Sequence, residues 1–320
     1  MGEPLRILVT GVGGFAGSHL ADELLREFEC EVWGVLITPE RPHYLDPRVQ
    51  CLTANLCSPA EVDGVIATVR PDRVYHLAGQ AFVPASWADP WGTLENNIRA
   101  QLNILQSCLR LGFGNTRILA VGSNEEYGRL DDHELPATES SPFRPDSPYG
   151  VSKLAQDFLG QSYYLSHGLP VVRVRPFNHI GPRQSHRFVA PDFARQIVAI
   201  ERGGQPPIIR VGNLHAERDF SDVRDVVRGY IAALEKGQAG DVYNVASGMS
   251  RPVRAILDGL LAHSSRAVTV EIDPLRLRPS DTPRQRGDAS KLTAVTGWRP
   301  TIPFEQALKD LLDYERQNYS

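Results

Sequence analysis

Cysteine is scarce in this chain, with four among 320 residues, and methionine scarcer still, with two. Cys30, Cys51, Cys57 and Cys108 form no CxxC pair and have no histidine partners at ligand spacing, which argues against a zinc site or a disulfide framework. No metal is expected. Long apolar runs are lacking as well. No stretch approaches the roughly 20 apolar residues of a membrane span, and residues 1–10 have no basic flank leading into a hydrophobic run. A cytoplasmic protein without a membrane contact is the expectation. Nor is there an excess of one charge sign: a net charge of -4 provides no general field for nucleic acid or an anionic membrane. Any anionic ligand must be met by local groups. There is no internal repeat and no low-complexity segment.

What is present is the composition of a globular protein with a core, 42% hydrophobic and 22% charged, long enough for one large or two closely packed domains. Residues 5–10 (LRILVT) are a β-branched run followed by a glycine-rich turn and helical periodicity over 18–28. The alternation continues, with strands at 31–37, 73–77, 117–121 and 171–175 and helices at 59–70, 90–111 and 149–167. It predicts an α/β fold, a doubly wound parallel sheet of the Rossmann type. After 175 the texture changes to loops rich in proline, arginine and histidine (FNHIGPRQSHRF). Helices near 191–201, 253–263 and 303–314 and short strands at 207–211 and 241–245 follow. The predicted organisation is a dinucleotide-binding domain of residues 1–177, with returning segments at about 219–246. A smaller, discontinuous C-terminal lobe, 178–218 and 247–320, would bind substrate.

Gly11, Gly14 and Gly17 form a GxxGxxG turn between the first strand and helix, with Phe15 and Ala16 inside it. Glycine lets the backbone turn tightly and approach a pyrophosphate, whose charge is met by amides at a helix N-terminus. A glycine turn needs no ligand on its own; its place early in an α/β chain points to a dinucleotide. Where NAD enzymes place an acid for the ribose diol, this chain has Gly34, Val35, Leu36 and Ile37. No carboxylate there repels a 2′-phosphate, so NADP is allowed beside NAD. Arg41 is either a ligand for that phosphate or a solvated loop residue. Asn55 and Leu56, and Leu77, Ala78 and Gly79, lie at strand ends on the cofactor side, Asn55 toward the adenine. His76 reads as a hydrogen-bonded strand-end histidine.

Tyr149 and Lys153 stand four apart at the start of a predicted helix, on one face. A neighbouring ammonium favours phenolate and lowers a phenol pKa from about 10, which makes the pair a tunable acid/base. YxxxK also arises by chance, as an aromatic ring under a lysine stem. Ser123 ends the 117–121 strand and can bond the carbonyl oxygen that Tyr149 protonates, or simply cap the turn.

Together these residues resemble the extended short-chain dehydrogenase/reductase family. The likeness continues in HLAGQ at 76–80, NNIRAQLNIL at 96–105, SNEEYG at 123–128, SPYGVSK at 147–153, RPFNHIGPRQ at 175–184, RDFSDVRD at 218–225 and LRPSDTPR at 277–284. It is most similar to the branch that reduces GDP-linked 4-keto-6-deoxy sugars. The resemblance implies NAD(P)H-dependent reduction at C4 of a GDP-4-keto-6-deoxy-mannose to GDP-rhamnose. It implies catalytic roles for Ser123, Tyr149 and Lys153, and nicotinamide contacts for Pro176 and His179. Asn178, Arg218 and Arg278 would meet the diphosphate, with Ser86 a weaker candidate for the sugar or phosphate; each arginine alone reads better as a surface ion pair, and only its matching context raises it above that. The nearest alternative is GDP-mannose 4,6-dehydration, with Glu125 as the base for the C5 proton, followed by another sugar-nucleotide epimerase or reductase reaction. Asn124 is no proton donor, and the doubled acid Glu125-Glu126 favours the reductase. A cofactor-binding regulatory protein that had lost the chemistry would show damage to Tyr149, Lys153 or the glycine turn; none is seen. Family likeness also implies a homodimer through a four-helix interface made by the helices at 90–111 and 149–167.

Overall fold

The computed structural model describes residues 4–276 and 282–319. The first β-branched run is β1 (Leu5–Thr10), and the periodic segment behind the glycine turn is α1 (Phe15–Glu27). Then come β2 (Cys30–Leu36), β3 (Gln50–Thr53), α2 (Pro59–Val69), β4 (Arg73–His76), α3 (Val83–Ala88) and α4 (Pro90–Arg110). These are followed by β5 (Arg117–Val121), α5 (Pro148–His167), β6 (Val171–Pro176), β7 (Asn178–Ile180), α6 (Val189–Glu201), β8 (Ile208–Val211) and β9 (Glu217–Asp222). The remaining elements are α7 (Val223–Lys236), β10 (Val242–Val245), β11 (Ser250–Pro252), α8 (Val253–Leu261), β12 (Thr269–Ile272), α9 (Ser290–Thr296) and α10 (Phe304–Asn318).

Seven strands pair in the order β10-β6-β5-β4-β1-β2-β3, every pairing parallel. This is the doubly wound sheet that the alternation predicts. Its order reverses between β1 and β4, and ligands of such sheets bind outside the carboxyl ends at that reversal. The helix starts are written locally. Ser147 caps α5, its Oγ accepting from Gly150 N at 3.0 Å, with Pro148 in the first turn. Asp89 caps α4 in the same way, accepting from Gly92 N at 2.9 Å, again ahead of a proline.

One face of the sheet is covered by Leu20 and Leu24 of α1 and Val226, Val227 and Tyr230 of α7. The other is covered by Ile66 of α2 and Ile104 and Leu105 of α4. A separate apolar core joins α6, α8 and α10 through Phe193, Ile197, Ile256, Leu260, Leu308 and Leu311. Each such fully buried side chain stabilises by about 1.5–3 kcal/mol. A three-stranded sheet, β11-β9-β7, lies outside the seven-stranded one. The chain therefore rejoins the main layers at α7, after β9, while Leu292 and Trp298 from the later part of the chain pack into the main core. Among the described residues no helix is long and apolar enough to cross a membrane.

Candidate active site

Because the large sheet is parallel, the residues that follow β1, β2, β4, β5 and β6 emerge on one rim. Gly11 turns there with φ +71°, and Gly14 N donates to Gly11 O at 2.9 Å. A Cβ on Gly11 would lie 2.9 Å from Ala78 N, and one on Gly17 2.1 Å from Gly11 O, so both positions require hydrogen. A cleft of about 700 Å³ opens beside this turn, lined by Gly11, Gly14, Asn55, Leu56, Ala78 and Gly79. It runs into a second of about 360 Å³ that shares Gly11, Gly14, Ala78 and Gly79 and adds Phe15, Ala16, Gly17 and Leu77. At its far end stand Ser123, Glu125, Tyr149, Lys153, Pro176, Asn178 and His179. A long groove with a glycine turn and a helix N-terminus at its middle fits a nicotinamide dinucleotide.

Two of the candidates face elsewhere. Arg41 donates to the carbonyls of Val49 (2.9 Å) and Asp46, shaping its own loop, and the cleft is lined there by Thr38 and Glu40 instead. Ser86 is fully buried, its hydroxyl donating to Val83 O at 2.7 Å, and lines none of these clefts. Asn55 does reach the groove, although its Oδ1 accepts from Cys57 N at 2.9 Å. His76 is held inside, its Nδ1 2.8 Å from Thr10 Oγ1, and burial lowers its pKa to about 3.

Tyr149 and Lys153 occupy the first turns of α5, both buried. Burial is the strongest influence on the Tyr149 phenol and pushes it well above its ordinary value; a hydrogen bond with Ser123 opposes this, and the Glu125 and Glu126 carboxylates reinforce it. The outcome differs from the lowering expected of an adjacent ammonium, because burial and two acids dominate. Lys153 Nζ is meanwhile donating to Val121 O at 2.9 Å. Burial lowers the lysine to about 8, with Glu126 acting against the fall. Glu125 accepts from Gln285 Nε2 at 3.1 Å, a residue that no motif pointed to.

A third cleft, of about 460 Å³, adjoins on the side of the second core and is reached by Asn178, His179 and Arg218. His179 stacks on Phe15 with centroids 5.5 Å apart and donates from Nδ1 to Phe177 O at 3.0 Å; burial lowers its pKa. Arg218 donates to Thr282 O at 2.7 Å, which ties β9 to the segment after residue 281. Arg278 lies outside the described residues. Its neighbour Arg276 does line this cleft, donating to Asp192 at 2.6 Å.

The profile of the GDP-mannose 4,6 dehydratase family matches residues 8–311. The chain belongs to that family. It is 37% identical to the GDP-6-deoxy-D-mannose reductase of Pseudomonas aeruginosa, over 97% of each chain. It is 30% identical to GDP-mannose 4,6 dehydratase 1 of Arabidopsis thaliana, over 96% of this chain and 88% of that one. Among solved structures, RMD from Pseudomonas aeruginosa complexed with NADPH superposes with a TM-score of 0.86 at 34% identity, covering 98% of this chain and 99% of that one. UDP-glucose 4-epimerase of Thermus thermophilus, in complex with NAD, gives 0.87 at 29% identity over 99% and 100%. Membership in the GDP-mannose 4,6 dehydratase family agrees with the extended short-chain dehydrogenase/reductase motifs.

Proposed function

We propose that this chain reduces the C4 ketone of a GDP-linked 4-keto-6-deoxy-mannose to GDP-rhamnose with NADPH or NADH. The observation that carries the reading is the Tyr149 phenol, buried, pushed toward its protonated form and bonded to Ser123 in the cleft beside the glycine turn. Ketone reduction consumes one proton at oxygen, and a phenol that keeps its proton near neutrality is the group to supply it. The 37% identity to a GDP-6-deoxy-D-mannose reductase supports the same choice.

In this mechanism the dinucleotide, when bound, supplies a hydride to C4. The α1 N-terminus and the glycine turn would hold its pyrophosphate, and Pro176 and His179 would hold the nicotinamide. Ser123 donates to O4 and orients the ketone. As the C=O electron pair moves onto O4, Tyr149 transfers its proton there, which leaves a hydroxyl on the sugar and a phenolate on the enzyme. The Lys153 ammonium would hold the ribose, and it stabilises that phenolate until it regains a proton. Asn178, Arg218 and Arg278 bind the diphosphate, since a chain of net charge -4 needs local donors for it. The region built on the seven-stranded sheet carries the cofactor, and the region around the second core carries the nucleotide.

A dehydratase reading is favoured by one feature: Glu125 lines the cleft of Tyr149, where it can act as a base toward C5. Two incubations separate the reactions. Oxidation of NADPH with the GDP-4-keto-6-deoxy sugar supports reduction; consumption of GDP-mannose supports dehydration and overturns the proposal. Glu125→Gln, if as inactive as Tyr149→Phe, also overturns it.

The assembly proposed is a cytoplasmic homodimer through α4 and α5. Val151, Phe158 and Leu165 stand seven residues apart along α5, so they share one face, and all three are exposed, as is Trp91 on α4.

A further inference from the structure

Beneath Ser123 lies a cluster of charged groups that line none of the clefts, although the charge of Glu126 acts on Tyr149 and Lys153. Glu126 is fully buried. One of its carboxylate oxygens accepts from Ser123 N at 2.8 Å and the other from Arg175 Nε at 2.9 Å. The same Nε donates to Asp157 Oδ2 at 2.9 Å, and the second oxygen of Asp157 accepts from Arg173. Arg175 is held further by the Tyr127 hydroxyl (3.0 Å), the Glu139 carbonyl (3.1 Å) and the face of Phe143, 4.7 Å from its centroid.

Stability does not account for such a cluster, since buried ion pairs exchanged for well-packed apolar groups are often neutral or stabilising. Position accounts for it better. Glu126 follows β5 on the turn that carries Ser123, Arg175 is on β6, and Asp157 is one helical turn beyond Lys153 and two beyond Tyr149 on α5. One guanidinium thus ties the strand end bearing Ser123 to the helix bearing the other two. The fit is close: a Cβ on Gly122 would lie 2.2 Å from Glu126 Oε1, so the carboxylate occupies the space that glycine leaves.

We infer that Glu126, Arg175 and Asp157 are positioning residues, a brace that sets the approach of the Ser123 hydroxyl to the Tyr149 phenol so that both reach one carbonyl oxygen. The inference rests on the proposed reduction, and a displacement of about 1 Å at such a pair is worth on the order of 100-fold in rate.

The test is Glu126→Gln, which keeps the shape and an acceptor for Ser123 N but turns an amide donor toward Arg175 Nε. The expected result is kcat lowered roughly 10- to 100-fold, with KM for the keto sugar nucleotide and the NADPH dissociation constant unchanged within about twofold. Wild-type kcat overturns the brace. So does a joint loss of kcat, substrate affinity and NADPH affinity, which is what a merely loosened fold produces. Should Glu126→Gln not fold, Arg175→Lys, which keeps the charge but loses the two-sided Nε bond, is read by the same split. Wild-type protein that leaves the keto sugar unreduced overturns the proposed reaction alone. The brace is then read in the crystal structure of Glu126→Gln, where a displaced Ser123–Tyr149 contact supports it and an unmoved one overturns it.

Discussion

At the scale of single residues the proposed reduction depends on a proton kept on Tyr149, whose phenol burial pushes up. Tyr149→Phe should lower kcat by about 10²–10⁴-fold, the worth of a general acid, and leave NADPH binding by fluorescence titration nearly unchanged. Ser123→Ala should cost about 10²-fold in kcat through the lost donor to O4, measured by the same NADPH oxidation assay. The lysine sets a pH limit. Its pKa is depressed to about 8, so it is charged below that value and neutral above it. kcat/KM should therefore fall as pH rises through about 8, a profile that reports the free enzyme. Tyr149, Lys153 and Ser123 were legible as a motif because helix spacing and strand ends are local features. Their protonation states were not. A lone ammonium near a phenol predicts a lowered pKa, whereas burial and the carboxylates of Glu125 and Glu126, which only the folded chain assembles, act in the other direction.

At the scale of elements the glycine turn is the most constrained piece. Gly17→Ala would place a Cβ 2.1 Å from Gly11 O, so the turn must shift. The expected result is a loss of roughly 1–3 kcal/mol by thermal or urea unfolding, together with weaker NADPH binding. Elements with strong local signals were readable: Asp89-Pro90 and Ser147-Pro148 announce α4 and α5, and β1 announces itself by β-branching. The helix over 223–236 is not announced by the sequence before it. Its apolar positions, Val223, Val226, Val227, Tyr230, Ile231 and Leu234, do have helical spacing, but they follow the strongly polar RDFSD run of β9. The three-residue β7 and β11 are too short to show a period, and partner strands make them strands. Arg41 shows the same limit, since its type and position suit a phosphate, yet nearby carbonyls claim its guanidinium.

At the scale of the whole molecule, the proposed dimer rests on the exposed Val151, Phe158 and Leu165 of α5. Phe158→Asp should convert the dimer to a monomer in sedimentation equilibrium, and a wild-type protein already monomeric at micromolar concentration removes the dimer. By itself, the amino-acid order determined the alternation of strands and helices, the glycine turn and the Ser123, Tyr149 and Lys153 set. Each of these rests on periodicity or spacing within a few tens of residues. Only the tertiary structure decided that β10 joins β6, that Leu292 and Trp298 pack into the main core, and that Gln285 reaches Glu125. It also brought Glu126, Asp157 and Arg175 into one buried cluster. Those contacts join segments that no local pattern connects, and the charges among them are held only where folding has already removed water.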